Sequence, residues 1–179
     1  VISLQEDCNL IRLNDSVNIT TFTCGHDDLD DFIKSDAKGY MDSLLSVTYL
    51  FIHKTSGQII AFFSVSNNKL SDLGNSKVRN KLGRKVPYPK RRKDYPAVLI
   101  GRLGVCSEYA RHGIGSVVLD FIKGWFRYEN KTGCKFILVD AYNEEKVLKF
   151  YLKNGFDFLI ESDKAAQTRS MYFDLKRLE

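Results

Sequence analysis

Proline is scarce in this chain, with 3 in 179 residues, and glycine accounts for only 12. That composition excludes a collagen-like or low-complexity chain. Long apolar runs are missing too. The longest, such as residues 59–63, fall far short of the ~18 residues a membrane span requires, so no membrane partner is expected. The first thirty residues hold no basic end followed by an apolar stretch, so no signal peptide is expected. Cysteine is sparse and irregularly placed, at Cys8, Cys24, Cys106 and Cys134, with no C-x-x-C. This is not a disulfide scaffold, and the four read as free thiols in a reducing, cytoplasmic compartment. The three histidines, His26, His53 and His112, are scattered as well. No paired ligands stand at the short spacing that a structural zinc site needs, so no metal is expected.

What is present is a core and an uneven charge. The apolar fraction is 44%, and this length fits one domain covering residues 1–179. The net charge of +5 hides a division. Lys77, Arg79, Lys81, Arg84, Lys85, Lys90, Arg91, Arg92 and Lys93 are nine cations with no acid among them, which leaves the rest of the chain at −4. A basic segment on an acidic body attracts polyanions, or else is a solvated loop. Residues 77–96 also hold Pro87, Pro89 and Pro96, and 83–96 reads as a loop.

Hydrophobic periodicity orders the elements. Residues 9–13 suit a first strand. Asp27 and Asp28 precede Leu29, Phe32, Ile33, Ala37, Tyr40, Met41, Leu44 and Leu45, whose steps of three and four place them on one helical face. Gly39 is the expected kink or break. Residues 47–53 and 58–65 flank a turn-prone tetrapeptide and read as a β-hairpin. Residues 71–82 fit a short polar helix. Residues 97–105 read as a strand covered on both faces. A helix over 114–126, a buried strand at 135–141, a short helix at 147–151 ending on Asn154-Gly155, and two closing strands at 156–160 and 171–175 complete the order. Helices between strands favour α/β or α+β layering.

The chemistry concentrates between 101 and 116. A strand ends near Val105, and Arg111, His112, Gly113, Ile114, Gly115 and Ser116 open an amphipathic helix. N–H groups in a first helical turn lack intrahelical partners and, with the dipole, favour an anion. Two glycines allow close approach, and Arg111 adds charge. The position that would carry the third glycine of a dinucleotide fingerprint is Val118, and the Gly-Lys-Ser/Thr of a P-loop is absent.

Arg111-His112-Gly113-Ile114-Gly115 resembles the acetyl-coenzyme A pyrophosphate loop of the GNAT acetyltransferase superfamily. Phe150-Tyr151, followed by Gly155-Phe156, resembles its helix-to-strand F-Y-x-x-x-G-F signature. The likeness spans residues 9–175. It implies a mixed, mostly antiparallel sheet of roughly six or seven strands with about four helices. It also implies acetyl-coenzyme A as acetyl donor, with Leu103, Gly104, Val105, the 111–116 loop and Asn143 holding it. Tyr151 would protonate the departing thiolate.

A narrower resemblance links Phe22, Cys24, Gly25, Leu29, Asp30, Phe32 and Ile33, with 96–105, to the acetyltransferase toxins of toxin–antitoxin modules. Those act on aminoacyl-tRNA and are restrained by a ribbon-helix-helix antitoxin. The chain departs from that pattern at 103–106, where Leu-Ala-Val-Asp is usual and Leu103, Gly104, Val105 and Cys106 stand.

No carboxylate stands out as a general base, although Glu108, Asp140 and Glu144 are available. An α-amine, with pKa about 7.7–8.0, needs less help to lose a proton than a lysine at ~10.4. Aminoacyl-tRNA offers such an amine on a polyanion, and Lys90, Arg91, Arg92 and Lys93 would contact its backbone. A small or protein amine, and a catalytically silent module that binds nucleic acid, are the competing readings. A homodimer is also expected, from exposed aromatic strands near the C-terminus and the Trp125–Phe126 pair.

Overall fold

The computed structural model describes residues 2–71, 75–84, 86–87, 92–130 and 132–178. Its strands are β1 (Cys8–Arg12), β2 (Val47–His53), β3 (Ile59–Ser71), β4 (Asp94–Val105), β5 (Phe136–Tyr142), β6 (Asp157–Phe158) and β7 (Thr168–Asp174). Its helices are α1 (Leu4–Asp7), α2 (Asp27–Asp31), α3 (Ala37–Asp42), α4 (Ser76–Leu82), α5 (Ile114–Tyr128) and α6 (Glu145–Lys153). The strands form one mixed, mostly antiparallel sheet in the order β1-β2-β3-β4-β5-β7-β6. Close contacts divide the chain into two compact units, Val1–Ser66 with Ile100–Phe121, and Asn67–Leu99 with Ile122–Glu179.

In the first unit β1, β2 and β3 run antiparallel, with Cys8 opposite His53 and Val47 opposite Val65. The hairpin expected at 47–65 is therefore present, and β3 continues to Ser71. The core gathers Leu13, Phe22, Phe32, Ile33, Ala37, Leu50, Ile59, Phe62 and Cys106. Phe62 is its hub. Its ring meets Phe22 edge-on at 5.4 Å and stacks on Phe32 at 6.3 Å. A Cβ on Gly104 would lie 2.5 Å from Phe62 Cε1, so the phenyl ring occupies the space of any side chain there.

The apolar run at 27–45 does not form one uniform helix. A π-helical segment, Phe32–Asp36, separates α2 from α3, while Gly39 lies inside α3. The wider turn breaks the 3.6-residue repeat, yet Ala37 stays buried and Met41 packs against the core. Tyr40, Leu44 and Leu45 are exposed rather than buried. The chain leaves α3 by a Schellman turn, with the Leu44 N–H donating to the Met41 carbonyl at 3.0 Å and the Leu45 N–H to the Tyr40 carbonyl at 2.8 Å. Leu44 occupies the left-handed position, at φ 58°.

In the second unit β7 lies between β5 and β6, antiparallel to both. Tyr95, Phe136 and Tyr172 meet edge-to-face at 5.9 and 5.8 Å. Leu70, Val78, Leu82, Leu138 and Leu159 pack with them. Of the basic segment, α4 buries Val78 and Leu82 and exposes Lys77 and Arg79. The strand read at 97–105 begins at Asp94, inside the predicted loop. It is not covered on both faces throughout, because Gly101 is exposed and Arg102 and Leu103 are half-buried. The strand read at 156–160 shortens to two residues, with the Leu159 N–H adding one further bond to the Ser170 carbonyl at 2.9 Å.

Gly104→Ala is expected to cost about 1–3 kcal/mol by overpacking. Urea unfolding of Gly104→Ala, Phe62→Leu and the double variant should show non-additive losses, whereas strict additivity would clear the ring of blame. Leu44→Gly should raise stability by about 1 kcal/mol by relieving a left-handed, side-chain-bearing residue. A lower unfolding midpoint would contradict it.

Candidate active site

Between β4 and α5 the chain makes a 3-10 turn and then a left-handed bend. The Cys106 N–H donates to the Ile60 carbonyl at 2.8 Å, continuing the sheet one residue past Val105. A 3-10 turn, Ser107–Tyr109, follows, and the Ser107 N–H donates to the Thr23 carbonyl at 2.9 Å. Arg111 then takes φ 66° and Gly113 φ 80°. Left-handed residues at alternate positions curl the backbone so that successive N–H groups converge on a concave side. Nothing lies within 4 Å of where a Cβ on Gly113 would stand.

Ser116 and Val117 turn their N–H groups back to the Gly113 carbonyl, at 3.0 and 3.2 Å. Ile114 and Gly115 have no intrahelical acceptor for theirs. Ile114 is buried and anchors the helix start, whereas Arg111, His112 and Gly113 are exposed. The segment fits a diphosphate: main-chain donors, open space above a glycine, and one guanidinium.

Leu103, Gly104 and Val105 end β4 in the same unit. Gly104 is buried under Phe62, and its two neighbours are half-buried. Arg102, just before them, is held by its neighbours: its guanidinium lies 5.3 Å from the Phe32 ring centroid and its Nε 3.5 Å from Asp28.

In the second unit the F-Y-x-x-x-G-F pattern is a Schellman motif. The Gly155 N–H donates to the Leu152 carbonyl at 3.0 Å and the Phe156 N–H to the Tyr151 carbonyl at 3.1 Å. Gly155 supplies the left-handed residue at φ 80°. The apolar contact that accompanies such a cap is the ring pair Tyr151–Phe156, at 5.4 Å, and the Phe150 ring meets Tyr151 at 5.1 Å. Desolvation in this aromatic setting pushes the Tyr151 phenol up to about 12. Asn143 closes a neighbouring loop, its Nδ2 donating to the carbonyls of Lys164 at 3.0 Å and Ala166 at 2.8 Å. That commitment leaves its amide oxygen as the group available to a ligand.

The cluster 103–105 and 111–116 thus belongs to one unit, and Asn143 with Tyr151 to the other. Of the proposed nucleic-acid contacts, Lys90 and Arg91 lie outside the described residues. Arg92 and Lys93 are exposed, and the Arg92 N–H donates to the Tyr95 hydroxyl at 3.1 Å. Among the carboxylates considered as bases, Asp140 accepts from the Ser170 hydroxyl at 2.9 Å and Glu108 from Gln58 at 2.8 Å.

Sequence reasoning missed Asp30 as an organiser. It accepts from the Thr23 hydroxyl at 2.6 Å and from the Cys24 N–H at 2.8 Å. Burial alone would raise its pKa, but these bonds outweigh burial and hold the carboxyl below its usual range. The Cys24 thiol moves the other way, up to about 12, through desolvation first and Asp30 second. All four cysteines are free. No helix among the described residues is long and apolar enough to cross a membrane.

The model of the acetyltransferase (GNAT) family matches residues 21–156. A curated relative, a tRNA-acetylating toxin of Mycobacterium tuberculosis (strain ATCC 25618 / H37Rv), is 25% identical over 150 residues, covering 83% of this chain and 82% of the relative. Among solved structures, AtaT complexed with acetyl-methionyl-tRNAfMet superposes with TM-score 0.78 at 19% identity, covering 96% of this chain and 97% of that one. A tyrosine-to-phenylalanine mutant of KacT gives 0.77 at 20% identity, covering 97% and 98%. A similar mutant of AtaT, bound to acetyl-CoA and the C-terminus of the antitoxin AtaR, gives 0.73 at 17%, covering 97% of each chain.

The high pKa sets a spectroscopic expectation. Tyrosinate absorbance in the difference between wild type and Tyr151→Phe should emerge near pH 12; a signal centred near 10 would show an ordinary, hydrated phenol. Because the folded-state value is raised, Tyr151 favours folding below pH 10, and that contribution is lost as pH climbs from 10 toward 12.

Proposed function

The chain belongs to the acetyltransferase (GNAT) family, and from that membership we propose that it transfers the acetyl group of acetyl-coenzyme A to the α-amino group of an aminoacyl-tRNA. It would act in the cytoplasm as the toxin of a toxin–antitoxin module, restrained by an antitoxin. The observation that carries the reading is the extent of the match to a tRNA-acetylating toxin, over four-fifths of both chains. The tRNA, acetyl-CoA and antitoxin of those complexes belong to the relatives, and they support the same partners here.

The residues suit this chemistry. Acetyl-coenzyme A supplies the thioester. The backbone donors of Ile114 and Gly115, with Arg111, would hold its diphosphate. Leu103, Gly104 and Val105 would offer main-chain groups to its pantetheine and acetyl carbonyl, with the Asn143 oxygen as a further contact. The amine nitrogen forms a bond to the carbonyl carbon, the carbon–sulfur bond breaks, and Tyr151 gives its proton to the departing sulfur. The proton shed by the amine restores the phenol. A pKa near 12 keeps Tyr151 protonated, and thus a donor, at every physiological pH.

No dedicated base is required of an α-amine, a fraction of which is neutral near pH 7.5. Exposed Lys77, Arg79, Arg92 and Lys93 would contact the tRNA backbone, so affinity for tRNA should fall as salt rises.

The deciding assay is release of free coenzyme A on mixing with acetyl-coenzyme A and charged tRNA. Release is expected with charged tRNA and absent with uncharged tRNA; release with small amines alone would overturn the acceptor. Tyr151→Phe should lower turnover about 100-fold or more while coenzyme A affinity, by calorimetry, stays within about twofold. Undiminished turnover would remove Tyr151 from the mechanism. Reversing Arg92 and Lys93 to acids should raise KM for tRNA and flatten its salt dependence, leaving acetyl-coenzyme A affinity alone.

A further inference from the structure

Gln58 stands at the end of the β2–β3 hairpin turn, where its main chain is fixed twice. Its carbonyl accepts from the His53 N–H at 2.9 Å, and its N–H donates to the Ser56 hydroxyl at 3.3 Å. Its side-chain amide reaches the turn after β4. Oε1 accepts from the Tyr109 hydroxyl at 3.0 Å, and Nε2 donates to Glu108 Oε2 at 2.8 Å. The same Nε2 lies 3.9 Å from the buried Cys106 thiol. One amide therefore grips the last two residues of the 3-10 turn from opposite ends, over a sequence separation of about fifty residues.

The turn's own bonds, Tyr109 N–H to the Cys106 carbonyl at 2.9 Å and Ala110 N–H to the Ser107 carbonyl at 3.2 Å, are local. They shape it without placing it. Placement comes from the Cys106 N–H bond to Ile60, the Ser107 tether to Thr23, the packing of Tyr109 on the core and the Gln58 grip. The loop at 111–116 begins immediately after this turn and starts on a strained left-handed Arg111. A cysteine at 106 is a weak hydrogen-bonding group and cannot anchor the turn as a carboxylate would.

We propose that Gln58 is a positioning residue for acetyl-coenzyme A: its amide clamp on Glu108 and Tyr109 sets the diphosphate loop 111–116 in its binding conformation. The inference rests on the acetyltransferase reading of that loop. Gln58 touches neither thioester nor amine, so it governs donor affinity rather than the chemical step. The clamp also has polarity. A carboxylate in place of the amide still accepts from Tyr109 but faces Glu108 with like charge, and exchanging the two groups restores one donor and one acceptor.

The test compares wild type, Gln58→Leu, Gln58→Glu and the exchanged double variant Gln58→Glu with Glu108→Gln. Coenzyme A affinity is read by calorimetry and amide hydrogen exchange is read over 107–116. Gln58→Leu and Gln58→Glu should each bind coenzyme A about tenfold more weakly and exchange faster at 107–116 than elsewhere. KM for acetyl-coenzyme A should rise in step while kcat at saturation stays within about twofold, and the exchanged pair should recover most of the affinity. Wild-type affinity and unchanged loop exchange in Gln58→Leu would overturn the proposal, as would a general loss of melting temperature with unaltered affinity. If wild type itself bound no coenzyme A, the acetyltransferase reading would fall, and local exchange alone would decide whether Gln58 holds the loop.

Discussion

The start of an α-helix cannot satisfy its own first N–H groups, and this chain leaves those of α5 at a bend where side chains stay clear. Everything nearby serves that constraint. Arg111 and Gly113 adopt left-handed backbone so that the chain curls before the helix begins. Ile114 is buried and fixes the helix start, while the residues before it face solvent. A diphosphate bound in this place, as proposed, would supply what the helix start lacks and would need few side chains to hold it.

Packing supplies the precision that main-chain donors lack. Phe62 sits at the centre of an aromatic cluster and lies against the end of β4 at Gly104, so the strand cannot shift without disturbing Phe22 and Phe32. In the other unit, a helix cap does comparable work. The turn that ends α6 brings Phe156 against Tyr151, and the hydrogen bond that closes the cap is accepted by Tyr151's own carbonyl. The candidate proton donor is thus held at both its ring and its main chain by a structure whose ordinary task is to stop a helix.

What the sequence made legible follows from range. The α6 cap spans six residues, and its glycine and aromatics are readable as letters. The 111–116 loop is similarly local, and so is the 47–65 hairpin. The π-segment at Phe32–Asp36 was not legible, because the residues on either side keep an apolar spacing that suits a plain helix. Leu44 gave no warning either, since a leucine in a left-handed cap position runs against its usual preference. Long-range pairing was the least visible. Nothing near Gln58 in the chain announces Glu108 and Tyr109, some fifty residues on. Those contacts exist only once β3 and β4 lie side by side.

The close fit of Gly104 to Phe62 couples the two positions. A methyl group at 104 would press on the present position of the Phe62 ring, so a passage between this arrangement and the Leu-Ala-Val form is easier when the ring shrinks or moves as well. The two positions should therefore vary as a pair, for reasons of space rather than of catalysis.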